Sequence, residues 1–263
     1  MPHRMLIAAI TMLAGAFPIA AQTLQSRITA SDGLVQIVYP SRPNVCGDGQ
    51  SYIGNLFGNT RTYSGDASWS GRNGSTTRGC VHGPARIVAN VVGGEITRVH
   101  EYVGPVPATA TDVRTINSSA AEATAWLSEL LMNGPPRLAS EMILPLIVAD
   151  GPEPWHLFLK VARDENRSRD LKRNVMLWLS NGVSDHLGLT DADDSSSDDD
   201  EMRKQAIFVL TQRPKNESVP QLIELARSAK HLSARKTAIY WLGQTGDSRA
   251  VDVYAELLGL RSR

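Results

Sequence analysis

The chain has 263 residues, with 27 basic against 27 acidic side chains, a formal net charge of zero and 42% hydrophobic residues. Such a balance leaves no electrostatic footprint for bulk nucleic-acid binding or for adhesion to an anionic membrane surface. The length suits two small domains, or one small domain followed by a repeat array.

In chain order, Met1 to Arg4 carries a positive charge, and Met5 to Ala21 is apolar and small. Ile19-Ala20-Ala21 ahead of Gln22 puts small residues beside a cleavage point, the pattern of a secretory signal peptide. The apolar run is short for a membrane span. The expectation is that residues 1–21 are removed, leaving no membrane span and a secreted or periplasmic protein. The two cysteines, Cys46 and Cys80, are an even pair. In an exported chain such a pair predicts a disulfide, which stabilises the fold by about 3–4 kcal/mol on the chain-entropy model.

Residues 22–106 read as a β-rich module. Leu34-Val35-Gln36-Ile37-Val38-Tyr39 is a short apolar strand ended by Pro40, and Ala85 to Val92, Gly93-Gly94 and Glu95 to Val103 read as a hairpin. β-branched runs on either side of a two-residue glycine turn are the signal. Between the cysteines, Gly54 to Gly79 is dominated by Gly, Ser, Thr and Asn and reads as a long tied-down loop. Residues 107–118 read as a linker. Ser119-Ala120-Ala121-Glu122 is a capping box that opens a helix over 120–132, and Asn133-Gly134-Pro135-Pro136 ends it.

From there the sequence repeats. Lys172-Arg173-Asn174-Val175-Met176-Leu177-Trp178-Leu179 recurs as Arg203-Lys204-Gln205-Ala206-Ile207-Phe208-Val209-Leu210 and as Arg235-Lys236-Thr237-Ala238-Ile239-Tyr240-Trp241-Leu242. The starts lie 31 and 32 residues apart. A period of that size marks units that cannot bury an apolar face alone and must stack on neighbours. Leu146, Leu179, Leu210 and Leu242 are equivalent positions, and four helix pairs follow, the first atypical.

These residues resemble HEAT repeats, a family of antiparallel helix pairs. Its second helix opens with an apolar residue, a basic one, two variable positions and a small apolar one. Met202-Arg203-Lys204-Gln205-Ala206 and Ala234-Arg235-Lys236-Thr237-Ala238 fit, as does Leu171-Lys172-Arg173-Asn174-Val175 with lysine and valine substituted. Leu242-Gly243-Gln244 and Gly246-Asp247-Ser248-Arg249-Ala250 look like the turn into the next unit. The chain also resembles exported bacterial HEAT-repeat proteins in which a small module with a Cys-Gly-Asp-Gly segment, here Cys46 to Gly49, precedes the helices. The resemblance implies an α-solenoid over 119–263 behind a small β-rich domain, α+β overall. It implies a scaffold in the bacterial envelope that binds a protein or peptide and carries out no reaction.

Within that frame, the basic pairs Lys172/Arg173, Arg203/Lys204 and Arg235/Lys236 would line up along the stacked second helices as a surface for an acidic partner. The competing reading has one residue of each pair bonded to a neighbouring repeat and the other solvated. Trp178 and Trp241 share a repeat position that suits packing between repeats, or a binding hot spot. Asp191, Asp193, Asp194 and Asp198 to Glu201 crowd an insertion. A calcium loop starting at Asp191 would need glycine at Ser196 and glutamate at Met202, so a solvated acidic loop is expected instead. No catalytic residues, cofactor or metal site are expected: the six histidines do not cluster, and there is neither a nucleophile elbow nor a HExxH run. An alternative assigns small-molecule or glycan binding to the β module through Tyr52, Tyr63 and Trp69. A third reading, an enzyme, would rest on Asp48 or His82.

Overall fold

The computed structural model describes residues 23–50, 52–54, 56, 63–64, 80–106, 113–189 and 198–260. The expected signal peptide, Trp69 with most of the polar stretch between the cysteines, and residues 190–197 of the acidic insertion lie outside the described residues.

Thr23 caps a short helix, α1 (Leu24–Ile28), which leads into β1 (Gly33–Tyr39). Three short strands, β2 (Cys46–Gly47), β3 (Tyr52–Gly54) and β4 (Tyr63–Ser64), form a small antiparallel sheet. β5 (Ala85–Val92) and β6 (Glu95–Val103) are the expected hairpin. Its turn residues Gly93 and Gly94 have φ of 61° and 78°, the left-handed geometry that a two-residue hairpin turn requires.

Where the composition predicts a linker, residues 114–117 form a further strand, β7 (Arg114–Asn117). It lies parallel to β1, with Ile37 paired to Ile116, and completes a four-stranded sheet in the order β6-β5-β1-β7. A four-residue edge strand with one apolar side chain, Ile116, leaves almost no pattern to read. Its anchor is equally remote in sequence: the Arg114 guanidinium donates to the carbonyls of Arg27 (2.6 Å) and Ile28 (2.7 Å), satisfying the end of α1.

The first sheet segment is close-packed backbone. Cys46 and Cys80 are joined by a disulfide, with Cα atoms 5.1 Å apart. The Asp48 carboxylate accepts from the Gln50 (2.9 Å) and Tyr52 (2.8 Å) amides, so it shapes the turn between β2 and β3. Gly49 has φ 75°, and a methyl on it would collide with the Pro105 carbonyl; one on Gly47 would strike the Val103 carbonyl. The buried Arg86 guanidinium donates to the Gln36 side chain (2.8 Å) and to the Gly49 carbonyl and covers the Tyr102 ring at 4.6 Å. Across β5 from β1, buried Glu101 accepts from the Tyr39 hydroxyl at 3.2 Å, and its other oxygen has no partner. Burial pushes the Glu101 carboxyl well above the ordinary carboxylate range, opposed by the Tyr39 hydrogen bond.

The helical half opens with α2 (Ala120–Asn133). The Ser119 hydroxyl caps it by accepting from the Glu122 amide at 3.1 Å. The Glu122 carboxylate pairs with Arg27 and accepts from Ser118 (2.9 Å), which holds it below its ordinary pKa and fastens α1 to α2. Next come α3 (Pro136–Glu141) and α4 (Ile143–Val148), split at Met142. Together they stand where the second helix of the atypical first pair is expected, with α2 as its partner, and they lie against the sheet, α3 on β6 and α4 on β5. Backbone bonds from Arg42 to Val148 (2.8 Å) and from Asp150 to Pro40 (2.9 Å) sew the end of β1 to the end of α4. One hydrophobic core runs from Ile28 and Ile37 through Leu127 and Leu146 to Leu179 and Leu242.

Six helices follow: α5 (Trp155–Arg163), α6 (Arg169–His186), α7 (Asp198–Thr211), α8 (Lys215–Ser228), α9 (Leu232–Gln244) and α10 (Ser248–Leu257). A chain-ordered solenoid would set α7 between α6 and α9. The structure instead seats α9 against both α6 and α7, while α6 and α7 do not pack side by side. The partner helices agree: Arg163 of α5 pairs with Asp252 of α10 (3.0 Å), and Arg227 of α8 with Glu256 of α10 (2.7 Å). The spatial row is therefore α5/α6, then α9/α10, then α7/α8. Small side chains make the middle place possible, since a Cβ on Gly243 of α9 would stand 3.2 Å from the Met176 carbonyl oxygen of α6 and 2.7 Å from the Tyr254 hydroxyl. Buried Tyr254 donates to the Ile239 carbonyl. Gly243 thus belongs to the helix, and the turn into α10 is made by Thr245, Gly246 (φ 64°) and the N-cap Asp247.

Two expectations follow. Gly49→Ala combines positive φ with a backbone collision and should lower stability by about 2 kcal/mol or more in chemical denaturation. Glu101→Gln tests the buried carboxyl. With its folded pKa raised, the native state holds a proton that the unfolded chain releases, so wild-type stability declines as pH rises above the ordinary glutamate value. The variant should melt above wild type at pH 8, and the difference should vanish near pH 4.

Candidate partner-binding surface

The repeat pattern predicts burial for the apolar positions of α7, yet Met202, Phe208 and Val209 are exposed, as are Leu232 and Tyr240 of α9. Of the nine large hydrophobic side chains exposed among the described residues, these five share one region, so the unfilled apolar surface concentrates there. The cause is the row order. The α7/α8 hairpin ends the row and has no neighbour on its outer side among the described residues.

α7 and α8 also diverge. α8 packs along α9, and the Arg235 Nε of α9 donates to the Ala226 carbonyl at 2.9 Å, closing the end of α8. α7 is tied to α9 at its first turn, where the Asp200 carboxylate accepts from Ser233 Oγ (2.8 Å) and from Arg203 (2.7 Å). Between α7 and α8 an open groove of about 610 Å³ remains. Ile207, Leu210, Leu225 and Ala234 line its apolar floor and walls. Arg203, Arg213, Lys230 and His231 are its charged or titratable lining groups, and among the described residues no carboxylate lines it. Beside it, Trp241 stands 5.3 Å from Phe208 and 5.2 Å from Tyr240, ring centre to ring centre.

The basic pairs are distributed over α6, α9 and α7 in spatial order. Arg173 pairs with Asp170 (3.4 Å) on the surface of its own helix, and Lys172 is half-buried. Arg203 and Arg235 are held by Asp200 and by the Ala226 carbonyl. Lys204 and Lys236 have partners of their own. The Arg173 and Arg203 pairs stay within α6 and α7, and the Arg235 bond crosses to α8, so most of the stripe is engaged within the chain. Trp178 is buried and Trp241 half-buried. Leu146, Leu179 and Leu242 are buried, whereas the equivalent Leu210 is half-buried on the groove wall.

The other candidates separate. Cys80 is bound to Cys46, and the His82 Nδ1 lies 3.0 Å from the Val45 carbonyl, so the two do not form a thiol–imidazole pair. Tyr52 is half-buried, and the Tyr63 side chain and Trp69 lie outside the described residues. Arg213 and Lys230 of the groove were not singled out by the repeat, because they stand outside its recurring phrase. The one sequence signal for the groove is the spacing of Met202, Ala206 and Val209.

The architecture defines an α+β protein whose C-terminal half is built of helical hairpins. A family model for HEAT repeats matches residues 193–262, which take in α7 to α10 and the whole groove. No curated protein and no solved structure matches the chain significantly. Among the described residues no helix is long and apolar enough to cross a membrane.

Asp200→Ala removes the tie between α7 and α9. It should cost about 1–3 kcal/mol in urea denaturation, the range for losing a hydrogen bond to a charged group.

Proposed function

We propose that this chain is an exported scaffold that captures a protein partner on its helical half and performs no chemistry on it. The observation that carries the reading is the α7–α8 groove, apolar within, cationic at its rim and, among the described residues, lined by no carboxylate. A groove between two helices accepts an amphipathic helix, with apolar anchors in the floor and acidic residues meeting the rim. The match to HEAT repeats over residues 193–262 supports the same reading, since such repeats generally mediate protein–protein contacts. Export is supported by the basic and then apolar start of the sequence and by the disulfide between Cys46 and Cys80. The internal bonds of Arg203 and Arg235 count against the basic stripe as the contact surface, and the groove also offers Arg213 and Lys230.

A photo-crosslinking residue at Val209, with Ala125 on the exposed side of α2 as control, tests the docking surface in cells. Adducts with one defined protein are expected from position 209 and not from 125. Leu225→Glu should reduce them by about tenfold or more, the effect of losing a binding hot spot. Equal adduct patterns at both positions would remove the groove from consideration.

A further inference from the structure

The groove has a candidate guest in the chain itself. Along α7 and the turn after it, Asp199, Met202, Ala206, Val209 and Arg213 alternate spacings of three and four residues, the seam of a helix built to meet another helix. Met202 is 64% and Val209 57% exposed, and Ala206 and Arg213 are exposed as well. Asp199 makes only a long contact of 4.0 Å with Arg203, and its side chain is 71% exposed. The stripe is nearly palindromic about Ala206: a small centre, one large apolar side chain on each flank, an acid seven residues before and a base seven residues after.

We propose that a second copy of this chain occupies the groove, its α7 laid antiparallel to the first about a two-fold axis at Ala206. This deepens the reading of the groove as a protein-docking surface, on which it rests, by identifying the guest. With the helices crossing at Ala206, Met202 of each copy falls against Val209 of the other, and Asp199 of each against Arg213 of the other. The small alanine lets the backbones approach at the crossing. A groove whose described lining holds cations and no carboxylate calls for a guest with an apolar stripe and acidic ends, and α7 opens on Asp198-Asp199-Asp200-Glu201 ahead of its stripe. An unrelated acidic helix would fill one groove. A second copy fills both at once and closes the assembly, as an isologous contact does. It also covers the outer side of the hairpin that ends the row, where a repeat array needs either a polar face or a partner.

The test uses the full chain with its disulfide intact. Sedimentation equilibrium from 1 to 100 µM (about the range that spans a micromolar dimer) should give the mass of two copies at the upper end. Val209→Glu should leave one copy throughout, with circular dichroism and melting temperature unchanged. Asp199→Arg and Arg213→Asp should each weaken the dimer by about tenfold, and the two together should restore it to within about threefold, as expected when one charge pair is reversed. Register is read independently. Ala206→Cys should form an intermolecular disulfide under mild oxidation, whereas Met202→Cys should crosslink to Val209→Cys in a mixture and not to itself. A chain that stays single at 100 µM, or a dimer indifferent to Val209→Glu, overturns the proposal. If that single chain still yields position-209 adducts with another protein, the self-pairing fails while the scaffold reading stands; if the adducts vanish too, both fall.

Discussion

The close approach of α9 to α6 is the contact on which the helical half depends. Ser233, Ala234, Ala238 and Gly243 are the small residues of α9 that are buried, and Gly243 lies where any side chain would press on the Met176 carbonyl and the Tyr254 hydroxyl. A helix that must be touched on several sides cannot carry bulk on all of them, and α9 accordingly leaves Tyr240 exposed and Trp241 half-buried. Once α9 takes the middle of the row, α7/α8 has only one place left, at the end. Its outer apolar residues then have no neighbour among the described residues, and the divergence of α7 from α8 opens the groove.

The N-terminal half obeys a different constraint, the contact of backbone with backbone. Gly47 and Gly49 lie against the carbonyls of Val103 and Pro105, with the disulfide next to them and Arg86 beneath. The buried cation is fully engaged by Gln36, Gly49 and Tyr102, so it supports the turn and leaves no charge pointing outward from that site. Because Arg42 and Asp150 join β1 to the end of α4, and β7 returns to pair with β1, the two halves share one core. The sheet acts as a base for α2 to α4, and these support α6.

Much of this was legible in the residues. The glycine turn, the serine cap at α2, the cysteine pairing and the helical phrase from Lys172 to Leu242 each carry a local signal, and the structure has the corresponding hairpin, cap, disulfide and helices. The order of the row was not legible, for a physical reason. A repeat specifies which face of each unit is apolar, and units of like sequence have like faces, so any of them can serve as the neighbour of any other. Only side-chain size at a particular contact, here Gly243, breaks the tie. β7 and α1 escaped because four or five residues are too few for a periodicity. The groove escaped because Val209 and Leu210 look like interior positions until the neighbour that would cover them is found elsewhere.

The position of α9/α10 also bears on how the molecule comes into being. Synthesis delivers α7/α8 ahead of the hairpin that will separate it from α6, so the nascent chain must keep a slot open or reopen one. A premature stop after Ser228 would therefore remove the keystone of the arch and not its last stone, taking from α7 and α8 alike the helix on which both pack.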